Sequence, residues 1–376
     1  MTEKDAFLAD ILERPDDDAP RLVYADWLDD HGEPDRATFI RAQCAGDAGA
    51  AGAFAARLGP WAGPAAELSE RVEFHRGFVE VVHIHAEAFL AQAEALFRLT
   101  PLRLARLLYL YSDQLAALAR LPNLSRLAAL EATGNYRHAG FRVLCASPHL
   151  DGLAGLAVSD TPIGRAGLAA LVESPSLSRL THLHLGGTGI GPEGVQQLAR
   201  SAKCRHLVAL DLRGNALGPP AVRDLDRSPH LGELRRLGLW YNRLGDEGLA
   251  ELVRTPLFAR LTHLSLGNNR VTAAGLRLLA DSPALLGLRT LWLGVDRYSP
   301  AGVEALTRSE FLHPEARVCF WLTGPLSEQV KQGVRRRLGG RVTFDNDPAE
   351  TWEADPPVGW PLWGRDSGSE PRGRPP

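Results

Sequence analysis

The chain has 376 residues, which is ample for a large core, and its formal net charge of −3 gives no general attraction to nucleic acid or to an anionic membrane. Its four cysteines lie far apart without a CxxC pair, so they indicate neither a disulfide framework nor a zinc site. The first residues lack an apolar signal core, and no apolar run reaches the ~20 residues of a membrane span. We therefore expect a cytoplasmic protein without cofactor, metal or membrane contact.

The N-terminal segment, residues 1–44, has helical apolar spacing in three stretches that are separated by Pro-rich or Gly-containing turns. Thr2 and Asp5 are placed to form a capping box at the first helix. The sequence predicts a small α-helical module here. Residues 45–73 begin with an Ala- and Gly-rich stretch and are expected to form a linker.

Part of this segment resembles a known family. The run from Asp16 to Ala37, followed by Phe39 to Gln43, resembles the planctomycete-type repeat-companion domain, a short module named for lying beside tandem repeats. The resemblance covers most of residues 1–44. It implies an architecture in which repeats follow, and it brings no catalytic residues.

The sequence predicts a strand and a helix over residues 74–103. Alternation from Phe74 to Ile84 predicts the strand, and Glu87 to Leu99 has helical spacing. We expect this pair to cap the N-terminal end of the repeats that follow.

The central feature is a nine-residue motif that recurs every 27 residues and occurs four times between Leu180 and Asn269. Within each motif, alternating leucines such as Leu183 and Leu185 predict a strand with one buried face. The rest of each 27-residue repeat predicts a helix. Such units bury their apolar faces only by stacking. Further matches at Leu104, Leu127, Leu153 and Leu288 extend the array to about eight repeats over residues 104–317.

The last position of each motif is expected to turn the chain and to hydrogen-bond the backbone of the neighbouring repeat. Together these positions would form a structural ladder along the array. Its members are Thr161, Thr188, Asn215, Asn242, Asn269 and Asp296.

The L-x-x-L-x-L-x-x-N phrase resembles that of leucine-rich repeat proteins, and the period of 27 with a helix in each repeat is similar to the ribonuclease-inhibitor-like class. The resemblance implies an α/β horseshoe solenoid with a parallel sheet on the concave face and helices on the convex face.

The sequence predicts a C-terminal cap over residues 318–345. Residues 346–376, rich in Pro, Gly and charge, predict a disordered tail.

Outward-facing positions of the strands form rows across the concave face, since adjacent strands lie ~4.8 Å apart. Aromatic and Arg side chains there are of the types that supply binding energy at interfaces. We expect the partner-binding positions to be His182, His184, Asp211, Arg213, Arg236, Trp240, Tyr241, His263, Asn268 and Trp292.

A metal site is a second interpretation of part of this surface. His182 and His184 share a strand face, and Asp211 neighbours them on the next strand. No fourth ligand is suggested, so we expect no metal.

These features favour a non-enzymatic scaffold, monomeric, that binds a protein partner on the concave face. The alternative, from the ribonuclease-inhibitor-like resemblance, is an enzyme regulator of the GTPase-activator type. A third interpretation is an adaptor that holds one partner on residues 1–44 and another on the horseshoe. A catalytic role is not predicted, because the Gly186–Gly191 run lacks the Lys-Ser/Thr ending of a phosphate-binding loop and no nucleophile elbow occurs.

Overall fold

The computed structural model describes residues 2–294, 299–321 and 326–345. Its strands form a single sheet whose spatial order follows the chain order. The strands are β1 (Arg71–His75), β2 (Phe78–His85), β3 (Leu104–Tyr111), β4 (Ala129–Asn135), β5 (Gly155–Ala157), β6 (His182–His184), β7 (Ala209–Asp211), β8 (Arg236–Gly238), β9 (His263–Ser265), β10 (Thr290–Leu293), β11 (Arg317–Trp321) and β12 (Val342–Asp345). The β1–β2 pair is antiparallel, and the pairs from β2 to β12 are parallel.

Helices precede the sheet and then alternate with its strands. The N-terminal helices are α1 (Glu3–Glu13), α2 (Ala19–Asp30), α3 (Pro34–Cys44), α4 (Ala48–Gly52), α5 (Leu58–Ala62) and α6 (Pro64–Leu68). The later helices are α7 (Ala86–Leu99), α8 (Leu115–Ala119), α9 (His138–Cys145), α10 (Gly164–Glu173), α11 (Gly191–Arg200), α12 (Pro220–Asp226), α13 (Gly245–Leu252), α14 (Pro256–Arg260), α15 (Ala273–Ala280), α16 (Pro300–Thr307) and α17 (Glu328–Leu338). Among the described helices, none is long and apolar enough to cross a bilayer.

One hydrophobic core runs the length of the sheet, between its strands and the helices. Inward leucines such as Leu183 and Leu185 are buried, as the strand alternation predicts. Because each repeat buries its apolar face against its neighbours, no repeat has a separate core. The predicted α/β solenoid is confirmed, with the sheet surface that faces away from the helices forming the concave face.

The register corrects the alignment of the first repeat. Leu104 pairs with Ala129 of β4, so its equivalent in the next repeat is Ala129 and not Leu127. The residue that corresponds to Leu127 is Leu102, which lies two positions earlier and is also buried. A register shift between Leu107 and Leu110 then places one extra residue in β3.

The predicted strand Phe74–Ile84 is instead a hairpin. β1 already begins at Arg71, and a turn at Arg76 and Gly77 reverses the chain into β2. Gly77 has a φ of +85°, and a Cβ at this position would collide with Ile40 of α3. Glycine is therefore required twice over, by the backbone conformation and by the close approach of the helix.

The segment expected to be a linker contains structure throughout much of its length. Residues 45–73 hold helices α4, α5 and α6, a 3₁₀ turn at Ala55–Arg57 and the first residues of β1. Ala62 and Ala65 are buried, and Trp61 packs against the same core. Ala65 of α6 is a small residue that lets this short helix approach the hairpin closely.

Helices α1, α2 and α3 form a unit whose core is completed by the sheet. Their apolar residues cluster with Phe78 of β2. The predicted capping box is present, since Asp5 N donates to Thr2 Oγ1 and Thr2 N donates to Asp5 Oδ2. Arg103, immediately before β3, pairs with Asp16 at 2.9 Å. The module therefore docks on the first strands of the solenoid.

Buried Asn and Thr side chains connect the repeats at the end of each strand. Asn242 accepts at Oδ1 from Asn215 N (3.0 Å), and its Nδ2 donates to Leu212 O (2.9 Å). Asn242 N in turn donates to Asn269 Oδ1 at 2.9 Å. The side chains thereby satisfy backbone groups that the short strands leave unpaired. Asp296 lies outside the described residues, as does the expected tail 346–376.

A second series of hydroxyl bonds, which the sequence did not suggest, lies at the helix ends. Ser147 Oγ donates to Ala119 O (2.6 Å), Ser174 Oγ to Cys145 O (2.6 Å), and Ser228 Oγ to Ala199 O (2.5 Å). Each acceptor is a carbonyl near the C-terminus of the preceding repeat's helix, where such groups lack an intrahelical partner. The repeats are thus connected on both sides of the core.

Candidate partner-binding surface

Three rows of side chains cross the concave face, as the strand register requires. The first row is His182, Ala209, Arg236, His263, Thr290 and Arg317. The second row is His184, Asp211, Gly238, Ser265 and Trp292. The third row lies two residues further along each strand and consists of Gly186, Arg213, Trp240, Gly267 and Gly294.

Trp240 lies flat on the sheet rather than projecting from it. A Cβ on either Gly267 or Gly294 would overlap its six-membered ring, so the indole spans the two following repeats. The side chain is only 3% exposed, and Trp292 is 7% exposed. These two expected contact residues therefore form the floor of the surface and offer little area to a partner.

Arg213 lies flat in the opposite direction. Its side chain occupies the space above Gly186, where a Cβ would collide with it. Its guanidinium lies 3.7 Å from Asp160 and 3.7 Å from Asp211. Asp211 also accepts from Arg213 N at 3.0 Å, and burial raises the pKa of this carboxyl group. The buried Asp211 carboxylate thus holds Arg213 in position.

The histidines of the first row are oriented by threonines. Thr181 Oγ1 donates its single proton to Ala154 O (3.1 Å), so its 2.9 Å contact with His182 Nδ1 requires the imidazole to donate. Thr262 holds His263 in the same way, at 2.9 Å. Burial, followed by the nearby Arg236, lowers the pKa of His182 to about 4.

His184 is buried below the surface, and burial with the nearby His182 and Arg213 lowers its pKa to about 3. Within the part of the chain that the structure describes, no three His, Cys, Asp or Glu side chains meet in a way that could hold a metal ion. Asp211 is turned towards Arg213 instead of joining the two histidines.

Tyr241 and Asn268 lie just beyond strands β8 and β9, in a strained backbone conformation. Their φ angles are +57° and +56°, at a position where Gly187 and Gly214 have +67° and +64° in the two earlier repeats. Tyr241 is 55% exposed, and its ring lies 6.2 Å from that of Trp240. A bulky residue in the left-handed region costs roughly 1–2 kcal/mol.

Several features of the face were not predicted from the sequence. Arg317 extends the first row and is exposed. Ser265 Oγ, Thr290 Oγ1 and Trp292 Nε1 are buried without a hydrogen-bond partner among the described residues. Exposed tyrosines at positions 109 and 111 lie at the far end of the sheet. Only the row positions could have indicated Arg317, because it continues in β11 the alternation of the preceding strands.

Known proteins show the same kind of repeat. A leucine-rich repeat family model matches residues 178–199, 203–225 and 261–280. No curated protein sequence matches the chain. Among solved structures, the chain is similar to the Rad7–Elc1 complex of yeast, with 13% identity and a TM-score of 0.45 over 84% of this chain and 87% of that chain.

Two bacterial structures are similar over a shorter part of the chain. An internalin from Listeria monocytogenes has 16% identity and a TM-score of 0.36, over 60% of this chain and 62% of that chain. A protein from Bacteroides fragilis has 14% identity and a TM-score of 0.39, over 60% of this chain and 76% of that chain. The matched segments, the motif that recurs every 27 residues and the parallel register together support a leucine-rich-repeat fold for this solenoid.

Proposed function

We propose that the protein is a non-enzymatic interaction scaffold and that its concave face binds a protein partner around Tyr241. The observation that carries this proposal is the exposed Tyr241 ring at a left-handed position, where the two preceding repeats have glycine. Strain of this kind persists only where the surrounding structure enforces it, and it concentrates at functional sites. An exposed aromatic ring held rigidly is also a typical energetic centre of an interface.

The chemistry of the first row indicates the partner's charge. Arg236 and His263 are half-buried side by side, and exposed Arg317 lies two strands beyond. The nearby carboxylate of Asp211 is buried, and its Oδ2 is directed towards Arg213. The surface therefore favours a partner segment that carries carboxylates.

Trp240 and Trp292 take a different role from the one expected of exposed contact residues. Both residues are nearly buried, and the Trp240 ring covers the backbone at Gly267 and Gly294, so they make an apolar floor beside Tyr241. A rigid floor reduces the side-chain entropy that binding would otherwise cost. The proposed contact residues at the surface are Arg213, Arg236, Tyr241, His263 and Asn268.

Site-specific crosslinking tests this proposal. A photoreactive benzoylphenylalanine replaces Tyr241 in the full chain, and a matched protein carries it at Leu286, which is similarly exposed at 51% but lies outside the rows. Both proteins are irradiated in a lysate of the organism that encodes the chain. We expect a discrete adduct from position 241 that is absent at position 286. Adducts of equal yield from both positions, or from position 286 alone, would contradict a concave site.

We further infer that residues 1–44 are a repeat-companion module that works together with the solenoid. Support comes from the Asp16–Ala37 phrase and from the contacts between α2, α3 and the first hairpin. Gln43 bonds both partners of the hairpin turn, accepting from Gly77 N at 2.8 Å and donating to Phe74 O at 3.1 Å. The module then acts as the N-terminal cover of the repeat core, and removing it should expose Phe78 and promote aggregation.

A further inference from the structure

A cleft lies at the N-terminal end of the sheet, where β2 and β3 end and α7 begins. Its volume is about 360 Å³, and its walls come from two strands, one helix and the turn after β3. It is lined by His85, Ala86, Glu87, Tyr109, Tyr111 and Gln114. None of these residues belongs to the concave rows around Tyr241.

Tyr109 adopts a backbone conformation that is costly for an aromatic residue. Its φ is +55°, and it lies in the register shift between Leu107 and Leu110 that adds a residue to β3. Irregularities of this kind redirect a side chain, and they occur frequently beside functional sites. Here the result is a phenol ring that is 63% exposed. Glycine would adopt this conformation without strain, so the fold alone does not account for a tyrosine.

Two further aromatic rings line the cleft, those of His85 and Tyr111. The His85 ring meets the Tyr109 ring edge to face, with centroids 4.9 Å apart and planes at 66°. Tyr111 is 46% exposed, and its backbone N donates to Gln114 Oε1 at 3.0 Å, which holds the turn in place. The rings are thus positioned in advance, on the ends of paired strands.

The cleft also has a negative side. Glu87, in the first turn of α7, is exposed and contributes to the lining. The electron-rich faces of tyrosines attract organic cations, and several rings around one ammonium group form the usual recognition site for such ligands. A carboxylate beside the rings adds charge complementarity.

We propose that this cleft binds an alkylated ammonium group, held between Tyr109 and Tyr111 with Glu87 as the counter-charge. The cation enters from the side where β2 and β3 end, and its methyl groups contact the rings. The site is separate from the partner-binding surface, so cation binding does not depend on the proposed function.

The first test compares two probes of the same shape. Choline and its neutral carbon analogue 3,3-dimethylbutan-1-ol are titrated separately into the full chain, and binding is followed by ligand-observed NMR. We expect saturable binding of choline and none of the neutral analogue. Equal binding of both probes would show an apolar pocket, and no saturable binding of choline would show no cation site. Either result overturns the proposal.

The second test uses variants that separate binding from folding. Tyr109→Gly removes one wall and also relieves the strained φ, so its melting temperature should equal or exceed that of the wild type. Its affinity for choline should fall about tenfold, the size of a good cation–π contact. Tyr109→Phe keeps the ring and should retain the affinity. Unchanged affinity in Tyr109→Gly would refute the assignment.

A third comparison identifies the source of the cation. Two peptides of one sequence are titrated, one with a trimethylated lysine and one with an unmodified lysine. Tighter binding of the trimethylated peptide than of free choline assigns the cleft to a modified protein, and tighter binding of choline assigns it to a small molecule. Either order supports the cation site, whereas preference for the unmodified lysine would contradict it.

Discussion

Arg21 of α2 donates from Nη2 to Oε1 of Glu80 in β2 across 2.8 Å, and neither side chain has any exposed surface. The second carboxylate oxygen accepts from Arg76 at 2.8 Å. Burial lowers the pKa of Arg21 and raises the pKa of Glu80, while the attraction between the two charges opposes both shifts. This contact joins the N-terminal module to the solenoid through a buried charge, and it fixes how the module sits on the sheet.

Removing one member of this pair should destabilise the protein strongly. Arg21→Met leaves the buried Glu80 with only Arg76, and we expect a loss of about 3–5 kcal/mol in the free energy of unfolding. The matched control is Arg57→Met, which breaks the exposed 2.9 Å pair with Asp35 and should cost less than about 1 kcal/mol. Urea unfolding measures both. Equal losses would show that the module is only loosely attached.

The Asn ladder should be costly to interrupt. Asn242→Ala removes the acceptor of Asn215 N and the donor to Leu212 O, in a site with no solvent access. Because buried backbone groups are left unpaired, we expect a loss of at least about 3 kcal/mol. Asn135→Ala, at an exposed position, should change the free energy of unfolding by less than about 0.5 kcal/mol. A mild effect at position 242 would mean that water replaces the side chain.

Gly267 lies directly against the Trp240 ring and leaves no room for a methyl group. Gly267→Ala places a methyl group in the space of the indole ring, so it should lower stability by about 1–3 kcal/mol and change the near-ultraviolet circular dichroism. Gly232→Ala adds the same methyl group where no atom lies within 4 Å, and it should have little effect. An unaltered aromatic signal in Gly267→Ala would show that the ring does not lie across this strand.

The buried His184 should make stability depend on pH. Its pKa is lowered to about 3, mainly by burial, whereas an unfolded histidine has a pKa near 6.5. Between these values the unfolded chain binds a proton that the folded chain does not, so stability falls as the pH falls. The loss is about 1.4 kcal/mol per pH unit, or about 2 kcal/mol at pH 5.

The measurement compares urea unfolding at pH 7.5 and pH 5 for the wild type and His184→Gln. The variant should lose about 2 kcal/mol less than the wild type over this interval. His138→Gln, at an exposed position, is the control for the loss of an imidazole. Identical pH dependence in wild type and His184→Gln would show that His184 is protonated in the folded protein.

Much of the architecture could be predicted because it is periodic. Leucines at a fixed spacing determine which side of each strand is buried, and a constant step brings equivalent residues such as His182 and Ala209 into register. The sequence alignment of the first repeat is wrong because Leu104 lies where the spacing leads one to expect the first leucine of the motif. Its true equivalent is Ala129, which carries no such signal.

Exposure on the concave face could not be predicted in the same way. Whether Trp240 projects or lies flat depends on Gly267 and Gly294, which lie one and two repeats away and had no apparent connection to it. The docking of the module likewise depends on a contact between Arg21 and Glu80, residues far apart in the sequence. A pattern within one repeat does not contain such information.

Partner binding on the concave face at Tyr241 can be measured with variants that remove its contacts. Its most direct test is the affinity of the crosslinked partner, once purified, for two double variants of the full chain. One carries Arg236→Glu and Tyr241→Gly on the concave face, and the other carries Arg277→Glu and Leu286→Ser at exposed positions outside the rows. We predict at least about 100-fold weaker binding for the first, in line with the loss of an aromatic centre and a charge contact, and near wild-type affinity for the second. Wild-type affinity in the first variant would show that the partner does not bind at Tyr241.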